Sequence, residues 1–293
     1  YYSPIENSIK ALLPSVVRKK SNQYKKQFSA TLLKDTNEDI TLLQKKIIDF
    51  LKRNGSTLII HLQRDLKCSI SPIKTLARKN IIKIEEVKIR RNPFCNSDLV
   101  PTQPFQLNSE QENALKKIIE NLDKKSSSVT LLQGVTGSGK TEVYLQSIDY
   151  IIKKNQGAIM LVPEIALTPQ TVNRFRARFG EIVAVLHSSL SEGERHDEWH
   201  RIFDGSAKIV VGARSALFSP IKNLGLIILD EEHEPTYKQE ESPRYHARDV
   251  AVMRGKIDNC AVLLGSATPS LESIHNANCG KYDLVKMNNR IDN

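Results

Sequence analysis

The chain has 293 residues, 40% hydrophobic and 26% charged, with 43 Lys+Arg against 33 Asp+Glu for a net charge of +10. These proportions sit near the globular average, which excludes collagen, a long coiled coil and wholesale disorder, and the length accommodates two domains of ordinary size. Apolar runs such as Leu226 to Leu229 are far too short to cross a bilayer, so the chain reads as soluble with no membrane partner. The cysteines at 68, 95, 260 and 279 make no CxxC pair and no metal-ligand spacing, a pattern of reduced structural thiols in an intracellular compartment. The chain starts at Tyr1 without Met or an apolar leader, which points to a missing or processed N-terminus.

The charge is unevenly spread. Residues 1–105 carry 20 Lys+Arg and 9 Asp+Glu, whereas residues 106–293 carry 23 and 24. A basic module joined to a near-neutral one points to a polyanion partner for the first, most often nucleic acid, although a basic surface also serves solubility. Residues 1–35, with the clusters Arg18-Lys19-Lys20 and Lys25-Lys26, read as a linker or the tail of a preceding domain.

Residues 36–92 read as three short helices and a β-ribbon, the pattern of a winged helix. Thr36 with Asp39 offers a capping box, and Ile40, Leu43, Ile47 and Leu51 recur at helical spacing up to Asn54-Gly55. Ser56 and Ser69 can cap a second and a third helix, the third with Pro72 in its first turn. The period then changes to alternation, with Ile82 and Ile84, then Val87 and Ile89, flanking Glu85-Glu86 as in a hairpin. Lys74, Arg78 and Lys79 on the third helix and Lys83, Lys88, Arg90 and Arg91 on the wing are candidate phosphate contacts. Winged helices also dock proteins, and that alternative stays open. Residues 93–105, with Pro93, Pro101 and Pro104, read as a linker.

From residue 106 to 293 short apolar runs alternate with helical patterns. Val129–Gln133, Ala158–Val162, Ile182–His187, Lys208–Val211, Gly225–Asp230 and Ala261–Gly265 are predicted strands of a mostly parallel α/β sheet, with ligands expected at their carboxyl ends. The first ends in Gly134-Val135-Thr136-Gly137-Ser138-Gly139-Lys140-Thr141, a complete GxxxxGK[ST] between strand and helix. In such a loop successive backbone N–H groups hold phosphates, Lys140 neutralises β/γ-phosphate charge, and the Thr141 hydroxyl ligates Mg²⁺, so ATP with Mg²⁺ is the expected ligand. The second signal is Asp230-Glu231-Glu232-His233 after an apolar strand. Asp230 is placed to hold Mg²⁺ through water and Glu231 to deprotonate an attacking water, which favours hydrolysis over transfer to a small acceptor.

Taken with Leu161-Val162-Pro163-Glu164-Ile165-Ala166-Leu167-Thr168-Pro169-Gln170 and Gly265-Ser266-Ala267-Thr268-Pro269, these segments resemble motifs I, Ia, II and III of superfamily 2 helicases. GARSALF at 212–218, the YKQ after DEEH, RYHARD at 244–249 and GSATPSLES make the chain similar, within that superfamily, to the primosomal replication-restart helicases. The resemblance covers residues 134–273 and implies an α/β fold, a winged-helix domain followed by a P-loop RecA-like helicase lobe. It implies that Thr168, Pro169, Arg214 and Ser215 line a single-strand track, and that Ser266, Ala267 and Thr268 couple phosphate state to movement. It places Tyr237, Lys238, Gln239, Arg244, Tyr245, His246 and Arg248 in a DNA-sensing aromatic loop, which suits tyrosines interleaved with cations. Tyr245, His246 and Arg248 are equally explained as the start of a packed helix. Gln111 lies where related helicases recognise adenine, beside Asn108 and Ser109, which also read as a helix N-cap.

The resemblance further implies branched and single-stranded DNA, primosome proteins and single-strand binding protein as partners in a bacterial cytoplasm. It implies a second helicase lobe, a Zn²⁺-binding insertion and terminal domains whose motifs this chain does not carry. Arginine fingers from a second lobe accelerate phosphoryl transfer by about 10³ to 10⁵. The chain alone is therefore expected to hydrolyse ATP weakly and not to unwind DNA. Another superfamily 2 translocase, or a winged-helix protein with a regulatory, non-hydrolysing nucleotide site, are the competing readings.

Overall fold

A computed structural model describes residues 4–12, 25–35, 40–89, 100–124 and 126–291. The chain divides into two compact units, residues 21–92 and residues 1–20 with 93–293. A short helix, α1 (Ile5–Leu12), belongs to the larger unit.

The small unit runs β1 (Lys25–Leu32), α2 (Leu42–Asn54), β2 (Thr57–Leu58), α3 (Ile59–Asp65), α4 (Ile70–Arg78) and β3 (Ile82–Ile89). Ile47, Ile48, Leu51, Leu62, Ile73 and Leu76 form its core, all almost wholly buried. Helix α2 starts later than the hydrophobic spacing predicts, because Thr41 and Gln44 form the capping box, each side chain bonding the other's backbone N–H. The predicted caps Thr36 and Asp39 lie outside the described residues. Ser69 holds the N-cap position of α4 without a side-chain bond.

Two predictions for this unit are corrected. Residues 82–89 are one continuous strand, not a hairpin about Glu85-Glu86, and β1 pairs antiparallel along its whole length, from Leu32 opposite Ile82 to Lys25 opposite Ile89. A tight two-residue hairpin wants left-handed backbone at its centre, which adjacent glutamates do not favour. The pairing partner comes from the segment read as linker, where the alternation Phe28, Ala30, Leu32 is masked by the neighbouring lysines. Lys74 and Arg78 are exposed on α4 and Lys79 at its C-cap; Lys88 lies in β3 and Arg90 falls outside the described residues.

The large unit continues with α5 (Ser109–Leu122), β4 (Val129–Gly134), α6 (Lys140–Lys153), β5 (Gly157–Leu161), α7 (Pro169–Phe179), β6 (Val183–Leu186), α8 (Glu192–Asp204), β7 (Ile209–Gly212) and β8 (Leu224–Leu229). A ribbon of β9 (Lys238–Gln239) and β10 (Tyr245–His246) follows, then α9 (Ala247–Asp258), β11 (Ala261–Ser266), α10 (Leu271–Asn278) and β12 (Asp283–Met287). The six predicted strands form one parallel sheet in the order β12-β4-β11-β8-β5-β7-β6, with β12 as a seventh member. Its strands are apolar on both faces because helices cover both sides. One layer packs Tyr144, Ile148, Met160 and Phe175, and the other packs Ile202, Leu217, Ile227 and Tyr237.

Part of the predicted linker 93–105 is instead pinned to this unit. Thr102 N donates to Ala177 O at 3.0 Å, Phe105 N to Glu142 Oε1 at 3.1 Å, and Gln146 Nε2 to Phe105 O at 2.9 Å. Prolines remove backbone donors and conceal such a strap from periodicity arguments. Among the described residues no helix is long and apolar enough to cross a membrane.

Candidate functional site

Strand β4 delivers the chain into the glycine-rich loop, and α6 begins at Lys140. Gly137 and Gly139 both adopt φ 82°, in the left-handed region where a side chain strains the backbone. A Cβ on Gly139 would also lie 2.3 Å from Gln111 Nε2. The loop curls around the lysine, whose Nζ donates to Gly134 O at 2.8 Å and lies 3.7 Å from Glu231 Oε1. Among the described residues the buried Ser138 Oγ finds no hydrogen-bond partner.

Glu231 sits in the turn after β8 at φ 47°, unusual for a non-glycine residue and retained where flanking structure enforces it. The amides on either side are tied down: Asp230 N donates to Leu161 O and Glu232 N to Gly265 O, each at 3.0 Å. The turn thereby directs Glu231 toward the lysine. Asp230 is held on two sides, by Tyr144 OH to its Oδ1 at 3.1 Å and Tyr237 OH to its backbone oxygen at 2.8 Å. Burial, reinforced by the Glu231 charge, raises the Asp230 carboxyl above its ordinary value. Burial and the Asp230 charge push the Tyr144 phenol well above its ordinary value, so it stays a donor.

Thr136, Gly137, Ser138, Gly139, Lys140, Thr141, Asp230 and Glu231 line one cavity of about 700 Å³, closed on its other walls by Phe105, Glu142, Leu145, Arg174 and Arg178. The fit to a triphosphate with Mg²⁺ is good on chemical grounds. The loop supplies backbone donors, a buried lysine and an unused hydroxyl in Ser138, and Thr141 and Asp230 supply the oxygen ligands that Mg²⁺ takes.

Gln111 does not line that cavity. It is 4% exposed, its Oε1 accepts from Asn108 N and its Nε2 donates to Ser138 O, both at 2.9 Å, so it braces the loop from behind. The capping alternative is the one realised, with Asn108 Oδ1 accepting from Gln111 N.

A second cavity, of about 550 Å³, lies at the carboxyl ends of β5, β6 and β7. Arg214, Ser215, Lys238 and Tyr245 all line it, together with Arg195 and Trp199. Arg214 Nη1 donates to Thr236 O at 3.1 Å and Lys238 O at 2.6 Å, and its guanidinium lies 5.8 Å from the Tyr245 ring. Tyr245 meets Phe218 edge-on. Cations and aromatic faces therefore share one concave surface.

Three predicted DNA contacts, Tyr237, Arg248 and His246, make contacts within the fold. Tyr237 borders the same cavity but is only 1% exposed, with its hydroxyl committed to the Asp230 backbone oxygen. Arg248 is buried against the fully buried Glu232, its Nη1 3.1 Å from Glu232 Oε2. Glu232 also accepts from Ser270 N at 2.7 Å and Ser273 Oγ at 3.0 Å. His246 caps α9, its Nδ1 accepting from Arg248 N at 3.2 Å, and burial lowers its pKa, which keeps that nitrogen unprotonated. Thr168 caps α7 by accepting from Thr171 N. The packed-helix alternative thus holds for His246 and Arg248, and Tyr245 alone of that trio faces the cavity.

The acid turn and the next strand end are joined through Ser266. His233 Nδ1 lies 2.7 Å from Ser266 Oγ, which accepts from Thr268 N at 3.0 Å, and 3.6 Å from Glu231 Oε2. Tyr144, Glu142 and Arg178 were not singled out from sequence. Tyr144 and Glu142 lie in the turn after GKT, and Arg178 falls on the helix after motif Ia with no local signal.

Residues 108–277, more than half of the chain, match the DEAD/DEAH box helicase model. The chain is 52% identical over 224 residues to replication restart protein PriA of Bacillus subtilis, covering 76% of this chain and 28% of the relative. It is 43% identical over 303 residues to PriA of Chlamydia pneumoniae, covering 99% of this chain and 40% of the relative. It thus spans less than half the length of these curated relatives. A solved structure of RecG bound to a three-way DNA junction superposes with a TM-score of 0.50 at 25% identity, covering 65% of this chain and 25% of that one. With a complete phosphate loop facing an Asp-Glu-Glu-His turn on a parallel sheet, the chain belongs to the DEAD/DEAH box helicase family.

Proposed function

We propose that this chain is the nucleotide-hydrolysing part of an ATP-dependent DNA helicase of replication restart, in which hydrolysis drives movement along single-stranded DNA. The observation that carries the reading is the approach of Lys140 and Glu231 to 3.7 Å across one cavity, with Glu231 linked through His233 to Ser266. Lys140, whose Nζ donates to Gly134 O, is the group to receive β/γ-phosphate charge. Ser138 Oγ and the loop amides would donate to phosphate oxygens, and Thr141 and Asp230 would hold the metal. Mg²⁺, when bound, neutralises charge between the phosphates. Glu231 accepts the proton of the attacking water, and His233 and Ser266 relay its position to Thr268.

The cavity lined by Arg214, Lys238 and Tyr245 is read as the single-strand track, and the small unit as a winged-helix-like holder of branched DNA through α4. Primosome proteins and single-strand binding protein are proposed partners, as the resemblance of the motifs to those of primosomal replication-restart helicases implies.

The test is the ATP hydrolysis rate of the full-length protein with and without forked DNA, in the wild type and Lys140→Ala. DNA-stimulated hydrolysis that Lys140→Ala abolishes is the expected result. Hydrolysis indifferent to DNA overturns the motor reading in favour of a regulatory nucleotide site.

A further inference from the structure

On the wall of the nucleotide cavity, Arg178 of α7 reaches Glu142 in the first turn of α6. The Arg178 side chain is only 7% exposed and Glu142 11%. Glu142 Oε1 accepts from Arg178 Nη2, from Phe105 N at 3.1 Å and from Gln146 Nε2 at 2.9 Å. One carboxylate oxygen therefore joins two helices and the strap carrying Phe105. Among the described residues Arg178 Nε and Nη1 have no hydrogen-bond partner, and both atoms are buried. Two unmatched donors on a buried cation cost free energy, and such atoms in a native fold call for an acceptor.

We propose that Arg178 is a nucleotide-contacting residue that donates to an acceptor of the nucleoside, in its base or sugar, rather than to the phosphates. This rests on the nucleotide reading of the cavity. Three observations select the nucleoside. The phosphate end is already furnished by Gly137 to Thr141, including the unused Ser138 hydroxyl. Glu142 compensates the Arg178 charge, so the guanidinium offers directed donors more than net attraction for an anion. Phe105, 72% exposed, lines the same cavity and presents an apolar face of the kind a base covers. A turn of the guanidinium about its Glu142 anchor brings the unpaired donors to the ligand.

The experiment measures dissociation constants of the full-length protein for MgATP, MgADP and inorganic tripolyphosphate by calorimetry, in the wild type, Arg178→Met and Lys140→Ala. Arg178→Met keeps the apolar stem and removes the donors. It is expected to weaken ATP and ADP alike by roughly tenfold, the range of a hydrogen bond from a charged donor, with tripolyphosphate unchanged. Lys140→Ala is expected to weaken ATP and tripolyphosphate together. If Arg178→Met leaves ATP unchanged while Lys140→Ala loses it, the Arg178 assignment fails and the nucleotide site stands. If tripolyphosphate weakens in step with ATP, Arg178 is a phosphate contact and the nucleoside assignment falls. A wild type that binds neither overturns the site itself. Should Arg178→Met not fold, Arg178→Lys keeps the ion pair, loses the rigid fork and reads the same contrast.

Discussion

Tyr144 donates its phenol to Asp230 Oδ1 across 3.1 Å, linking the helix that begins at the phosphate-loop lysine to the end of the strand that carries the acids. Room for the contact is made by Gly265, where a Cβ would lie 1.7 Å from the Tyr144 hydroxyl. The bond fixes which carboxylate oxygen remains for a metal. Tyr144→Phe fills the same space and releases Asp230, so folding should change little. The full-length protein should need more Mg²⁺ for half-maximal hydrolysis, with kcat reduced by about tenfold, the size of one hydrogen bond to a charged group. A Mg²⁺ titration of the ATPase rate checks this, and an unaltered titration removes Tyr144 from metal positioning.

Asp230 carries a stability cost that the site retains. Burial and the Glu231 charge raise its pKa above 3.8, so folding favours the protonated acid. That contribution is complete below the ordinary carboxylate pKa and is lost as pH rises through the raised value. At pH 7.5 the ionised group weakens the nucleotide-free fold. Asp230→Asn keeps an oxygen for Tyr144 and removes the charge, so its melting temperature without nucleotide should exceed the wild type's at pH 7.5. The gap should close as pH falls through the carboxylate range. Thermal melts across pH decide, and an Asn variant that melts lower at neutral pH contradicts the account.

The phosphate loop and the acid turn were legible in the sequence because each is a contiguous string with an obligatory chemistry, and the parallel sheet because its strands are unbroken apolar runs. Residues serving the site from a distance were not legible. Gln111 and Tyr237 sit in recognisable motifs, yet whether a side chain faces ligand or braces a loop depends on contacts made 27 residues away at Ser138 and seven away at Asp230. Strand β1 escaped because its full-length partner β3 lies fifty or more residues on, and lysines cover its alternation.

Arg248 separates structural from DNA-contacting cations. Its guanidinium meets a Glu232 carboxylate with no exposure, which also holds the start of α10 through Ser270 and Ser273. Removing one partner strands a buried charge. Arg248→Ala should destabilise the large unit by about 3–5 kcal/mol. Arg248→Met with Glu232→Gln should recover much of that loss, since it leaves no unpaired charge. Denaturant unfolding of the single and double variants reads the difference. A single variant of wild-type stability that bound DNA poorly would return Arg248 to the DNA surface.

Two tyrosines from one loop should part company in the same way. Tyr245 lines the cavity beside Arg214 and Lys238, packed edge-on to Phe218, whereas the Tyr237 hydroxyl is buried on the Asp230 carbonyl. A base stacked on an aromatic ring is worth about 1–3 kcal/mol, so Tyr245→Ala should weaken single-stranded DNA binding by roughly tenfold or more. Tyr237→Phe should leave DNA affinity unchanged and lower hydrolysis, because it loosens the turn that presents Glu231. Fluorescence anisotropy on a labelled oligothymidylate, paired with ATPase rates, distinguishes the two. A DNA defect in Tyr237→Phe as large as that of Tyr245→Ala would mean the loop reorganises on binding and that the buried hydroxyl is released to the strand.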